Sequence, residues 1–143
     1  GAMICYEAIF PDQVRRYVKD GAGFLVNITN DAWFGRSAAP AQHLAMAALR
    51  AAENRRYLVR AANTGISAIV DPSGRILQAS DIFVPAVITE QIRAERTQTF
   101  YTRYGDLFAW VCVIFIIAVF MARWAWSIGR IAPVPAAASQ RRT

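Results

Sequence analysis

Residues 107–122 run without a single charge, and no other stretch limits the architecture of this chain as much. Arg123 interrupts, after which residues 124–128 extend the apolar character. A bilayer core about 30 Å thick needs about 20 residues of helix, and an arginine near one end can reach the headgroups along its aliphatic stem. Trp110, Trp124 and Trp126 stand where interfacial aromatics belong. The pattern predicts a transmembrane helix over residues 105–128, with Gly105 and Asp106 as its cap. The competing reading is a buried core helix, against which the all-round hydrophobicity and the tryptophan flanks both argue. Residues 129–143 carry Arg130, Arg141 and Arg142 among Ala, Pro and Ser, with no acid. That composition predicts a disordered tail. Because Arg93, Arg96 and Arg103 precede the helix, the charge bias across it is weak, and the tail is assigned to the cytoplasm.

Residues 1–104 are then about one domain. The net charge of +6 is carried almost wholly by arginine, since Lys19 is the only lysine. These bases are scattered, which argues against nucleic acid as a partner and suits anionic lipid headgroups instead. Cys5 and Cys112 lie in unlike surroundings, so a disulfide is not expected. With one histidine, His43, and no C-x-x-C pair, neither a zinc site nor a serine–histidine triad is indicated. No metal and no cofactor is expected.

Periodicity places a helix over Pro11–Lys19, with proline in its first turn and Val14, Tyr17 and Val18 as an apolar stripe. Residues 24–28 read as a strand of the kind buried on both faces. Residues 40–56 make the most regular helix: Leu44, Ala47, Ala48, Ala51 and Ala52 form a narrow packing face, and Arg50, Glu53, Asn54 and Arg56 are its polar residues. A strand follows over 57–63, then a hairpin of 66–70 and 75–79 about Asp71-Pro72-Ser73-Gly74. A further strand is expected over 84–92, at an edge because of Pro85. The order implies an α/β layered domain.

Three local patterns bear on chemistry. In Ala2-Met3-Ile4-Cys5-Tyr6-Glu7-Ala8 an apolar strand-like run ends on a cysteine and gives way to the turn-prone Phe10-Pro11-Asp12. A thiol displayed there is held rigidly, and the N–H groups of the turn can face a developing oxyanion. The ordinary alternative is that Cys5 is a small buried hydrophobe. In Thr29-Asn30-Asp31-Ala32-Trp33-Phe34-Gly35, polar groups and two aromatics follow a strand, where open α/β folds place ligands. Asn30, Trp33 and Phe34 are the candidate substrate-binding residues. The alternative there is an Asx-type turn whose aromatics plug the core. In the long helix, Arg50 and Glu53 are spaced for a salt bridge, and His43 reads as a hydrogen-bonded packing residue.

Taken together, Ile4-Cys5-Tyr6-Glu7, the Asn-Asp-Ala-Trp-Phe-Gly loop, Gln42-His43 with Arg50-Ala51-Ala52-Glu53, Arg60-Ala61-Ala62-Asn63-Thr64-Gly65-Ile66-Ser67 and the closing apolar span resemble the C-terminal part of the apolipoprotein N-acyltransferases. That family is a branch of the nitrilase, or carbon–nitrogen hydrolase, superfamily. The resemblance implies part of a nitrilase-like α-β-β-α sandwich seated on membrane helices. It further implies a multi-pass protein of the bacterial inner membrane whose catalytic domain is periplasmic. It implies a fatty acyl chain moved from a phospholipid, through a thioester on Cys5, to the amino group of a diacylglyceryl-cysteine on an apolipoprotein. By the same resemblance Tyr6 supplies a backbone N–H to the oxyanion, and Glu7 is the carboxylate beside the nucleophile. The plainer alternative is that both residues pack and cap the turn. The family's catalytic glutamate and lysine precede the cysteine, whereas four residues precede Cys5 here and Lys19 follows it. The chain is therefore expected to be a fragment, inactive alone and short of partners for its sheet. Two other readings are a membrane-tethered amidase or nitrilase, and a non-catalytic membrane-anchored binding module.

Overall fold

The computed structural model describes residues 1–129, so apart from Gly129 the tail expected to be disordered lies outside the described residues. In chain order the elements are β1 (Ala2–Ile4), α1 (Pro11–Lys19), β2 (Leu25–Asn30), α2 (Ala39–Asn54), β3 (Leu58–Asn63), β4 (Ala68–Val70), β5 (Ile76–Ala79), α3 (Phe100–Tyr104) and α4 (Leu107–Gly129). Two compact units result, Gly1–Gly105 and a second that begins at Asp106.

In the first unit the strands form one sheet in the order β1-β2-β3-β4-β5. β1, β2 and β3 are parallel, and β4 and β5 turn back antiparallel. Parallel neighbours need a crossover, and α1 and α2 supply the two. Alternation along β2 sends Leu25, Asn27 and Thr29 inward, and along β3 Leu58 and Arg60. They meet Val14 and Val18 of α1 and Leu44, Ala47, Ala48 and Ala51 of α2, whose small side chains let the helix lie close. In this chain both helices cover one side of β2, and Ile28 on the other side is 57% exposed.

Of the polar residues read in the long helix, Arg50, Asn54 and Arg56 are buried. α2 stops because Arg55 adopts a left-handed φ of 52°. That turn carries Arg56 inward, where Nε donates to the Ala22 carbonyl at 2.8 Å and Nη1 to that of Thr97 at 2.7 Å. Burial lowers its pKa, an effect opposed by the charge of Glu95. Asn54 donates to the Arg50 carbonyl and accepts from the Thr102 hydroxyl, each at 3.0 Å. These bonds dock the stretch after β5 onto the helical layer.

No strand forms over residues 84–92. Pro85 has no N–H to give a ladder, and the link to β5 is made by a side chain, with Gln78 Nε2 donating to the Thr89 carbonyl at 3.1 Å. By contrast the β4–β5 hairpin forms as its turn residues require. Gly74 N–H donates to the Asp71 carbonyl at 2.9 Å, and Gly74 takes a φ of 86° that a side chain would resist. The Asp71 carboxylate accepts from Ser73 N, Ser73 Oγ, Arg75 N and Arg75 Nε. The Ser73 hydroxyl is the largest cause, against burial, of a carboxyl pKa that falls from 3.8 to about 2. A pKa depressed on folding stabilises the folded state above the unfolded value and ceases to do so as pH falls through the folded one. Asp71→Asn in the full-length protein should therefore lower stability by about 1 kcal/mol near neutral pH. That gap in thermal midpoint should close as pH falls from 3.8 to about 2; a gap independent of pH would refute the assignment.

In the second unit, α4 has 23 residues, about 34 Å of helix. Its first internal bond runs from Trp110 N–H to the Asp106 carbonyl at 3.0 Å, so the chain enters the helix at Asp106. The segment Leu107–Ser127 reaches a mean hydropathy of 2.3 with none of it buried. It is long and apolar enough to cross a membrane.

Candidate active site

β1 ends at Ile4, and Cys5 turns the chain sharply into a 3-10 segment, Cys5–Ile9. The turn is sharp because Cys5 holds a φ of 51°, a region that a residue with a side chain enters at a cost of about 1–3 kcal/mol. Bonds on both sides of the elbow offset that strain. Glu7 Oε2 accepts the Ile4 N–H at 2.7 Å. Asn27 Nδ2, reaching across from β2, donates to the carbonyls of Cys5 at 3.2 Å and Met3 at 3.3 Å. The thiol is half-buried, so Cys5 is not the interior hydrophobe of the ordinary alternative.

Because β1, β2 and β3 are parallel, their C-terminal ends gather at one edge, the place such sheets reserve for ligands. A cleft of about 350 Å³ opens there between Ile4, Cys5, Ile28, Thr29, Asn30 and Trp33. Asn30 and Trp33 thus stand beside Cys5. Asn30 also makes the Asx-type turn, its Oδ1 accepting from Ala32 N at 3.1 Å and from Asn63 Nδ2 at 3.3 Å. Trp33 does not plug the core, being 75% exposed. Phe34 lies apart from the cleft. It meets Tyr6 edge-on at 6.1 Å and lines a separate recess of about 100 Å³ with Tyr6, His43 and Met46 among its walls. Tyr6 in turn stacks on His43 at 5.1 Å.

Beneath the elbow lies a group of buried polar residues. Arg60, only 2% exposed, donates from Nη2 to Asp31 Oδ2 at 2.8 Å, from Nε to the Ile66 carbonyl at 3.2 Å and from Nη1 to Asn27 Oδ1. Asp31 Oδ1 is met by Thr29 Oγ1 and by His43 Nδ1, each at 3.0 Å. Burial lowers the Arg60 pKa, while the charge and hydrogen bond of Asp31 and then the charge of Cys5 raise it. Gly65 completes the enclosure, since a Cβ at this position would overlap the Asp31 carboxylate. His43 is the hydrogen-bonded packing residue expected, with Asp31 its partner, and Arg50 pairs with Glu53 at 2.8 Å. Among the described residues, no group of three or more His, Cys, Asp or Glu side chains is gathered as a metal would need.

Sequence reasoning quoted Asp31 and Arg60 only inside longer motifs and gave a role to neither of them nor to Asn27. The signal was the strand period: Asn27 shares a face with Leu25, and Arg60 shares one with Leu58. Asn27 and Arg60 are also register partners across β2 and β3.

The family model for carbon–nitrogen hydrolases matches residues 1–102. The apolipoprotein N-acyltransferase of Geobacter metallireducens is 54% identical over 79% of this chain and 22% of its own length. That of Rhodopseudomonas palustris is 44% identical over 85% of this chain and 22% of its own. The chain thus spans about a fifth of the length of these curated relatives. Among solved structures, a carbon–nitrogen hydrolase from Helicobacter pylori superimposes with a TM-score of 0.51 at 16% identity. It covers 57% of this chain and 36% of that one, a likeness of fold.

Proposed function

The chain belongs to the carbon–nitrogen hydrolase family, and on that footing we propose that it is the nucleophile-bearing part of an apolipoprotein N-acyltransferase. The observation that carries the proposal is the placement of Cys5. Its strained elbow opens into a cleft whose walls include Ile4, Ile28 and Trp33, apolar surfaces suited to a fatty chain. A segment able to cross a bilayer follows in the same chain.

In the first step the Cys5 thiolate attacks the ester carbonyl of a phospholipid. The S–C bond forms, the ester C–O bond breaks, and the lysophospholipid alkoxide leaves with a proton from a general acid. In the second, the α-amino group of a diacylglyceryl-cysteine attacks the thioester. The N–C bond forms, the S–C bond breaks, the amine proton passes to a base, and the thiolate is restored. Sulfur suits both halves, being a good nucleophile and a better leaving group than an alkoxide. The Tyr6 N–H is assigned to the oxyanion, and Glu7, committed to the Ile4 N–H, holds the elbow. Neither Glu7 nor the Lys19 that ends α1 is placed to shuttle protons. The general base, a glutamate, and a lysine are assigned to the remainder of the full-length protein. The domain is assigned to the periplasmic face of the bacterial inner membrane, with α4 as one of several spans.

The experiment uses full-length protein in phospholipid vesicles with a synthetic diacylglyceryl-cysteinyl peptide. Triacylated peptide and lysophospholipid should accumulate in equal amounts. Free fatty acid with unmodified peptide would favour a membrane-tethered hydrolase, and no turnover at all would favour a binding module.

A further inference from the structure

We infer that Asn27, set in place by Arg60, is a positioning residue that orients the Cys5–Tyr6 peptide so that the Tyr6 N–H faces the oxyanion. The inference rests on the function proposed above and adds to it the device that aims the donor.

An asparagine amide can point either way, and here its neighbours decide. Arg60 offers only donors, and its Nη1 binds Asn27 Oδ1. The Nδ2 end must then face the Cys5 and Met3 carbonyls, to which it donates. Arg60 is itself fixed by Asp31, and Asp31 by Thr29 and His43. The chain of bonds therefore runs from a buried ion pair to one peptide of the elbow. That peptide is trans, so its C=O and N–H point in opposite directions. Drawing the Cys5 carbonyl inward, toward fully buried Asn27, turns the Tyr6 N–H outward. Outward is the cleft side, for Ile4, Ile28 and Asn30 occupy the exposed positions of the same strands and line it. As the second residue of the 3-10 segment, Tyr6 has an N–H that early helical geometry leaves without an internal partner.

The test compares two reactions of Cys5 in the full-length protein. Acylation by a short-chain p-nitrophenyl ester develops an oxyanion, whereas alkylation by iodoacetamide does not. Asn27→Asp keeps the shape but sets an acceptor against the two carbonyls. It should slow acylation about 100-fold relative to alkylation of the same variant, a ratio that cancels any change in the thiolate fraction. Arg60→Lys keeps the charge but loses the fork that binds Asn27 and Asp31 together, and should slow acylation about tenfold on the same comparison. Should Asn27→Asp fail to fold, the Arg60→Lys ratio decides. If both reactions slow together, or acylation is unchanged, the inference is overturned. Wild-type protein that takes the acyl group from the ester but never from phospholipid would sink the proposed function and leave the orienting role standing.

Discussion

Cys5→Ser in the full-length protein is expected to lower N-acyl transfer by about four orders of magnitude or more while leaving the fold intact. The fold should survive because a hydroxyl replaces a thiol of similar size at a half-buried position, and the backbone bonds from Glu7 and Asn27 that hold the elbow are untouched. Chemistry should not survive. A hydroxyl is far less acidic than a thiol, so the glutamate assigned to the remainder of the protein would not ionise it as it does the thiol, and the one histidine of this chain is not placed to help. His43 is buried, bound through Nδ1 to Asp31 and covered by the Tyr6 ring. Turnover of diacylglyceryl peptide, measured beside the thermal midpoint, separates the two effects. Activity within about tenfold of wild type would place the nucleophile elsewhere.

Asp31→Ala should be the most damaging substitution for stability, by about 3–5 kcal/mol. The Arg60 side chain, wholly shielded from solvent, would lose the one carboxylate that balances it. Thr29 and His43 would lose their shared acceptor at the same time. Asp31→Asn keeps an oxygen that can accept one of these bonds and should cost less, about 1–3 kcal/mol. Denaturant unfolding of the full-length protein measures both. A loss below about 1 kcal/mol for alanine would mean that water or a neighbour compensates Arg60.

The parts of this fold that were legible in the sequence are those fixed by neighbours along the chain. Pro11 at a helix start, valines four apart on α1, the Asp-Pro-Ser-Gly turn and a long run without charge each carry their instruction within a few residues. The expected strand over 84–92 failed although Val84, Val87, Ile88 and Ile92 are apolar enough for an edge strand: Pro85 has no N–H for a ladder, and the link to β5 runs through the Gln78 side chain. Arg56 and Asn54 read only as polar residues of the helix, because their partners Ala22, Thr97 and Thr102 lie far off in sequence. The site shows the same division. Cys5 was visible as a thiol at a strand end, with Asn30 and Trp33 as polar and aromatic residues after the next strand. Phe34 shares their loop, but the 3-10 turn Ala32–Phe34 swings its ring toward Tyr6 and His43. Asp31 and Arg60, 29 residues apart, meet only once β2 and β3 are paired.

The decisive measurement is intact-mass spectrometry of the full-length protein before and after the acceptor is added. With phospholipid alone, one acyl chain should appear on Cys5 and persist. On addition of the diacylglyceryl-cysteinyl peptide it should leave the protein and be recovered on the peptide's amino group. A Cys5 that is never acylated, or an adduct that water removes as fast as the peptide does, would contradict an acyl transfer built on this thiol.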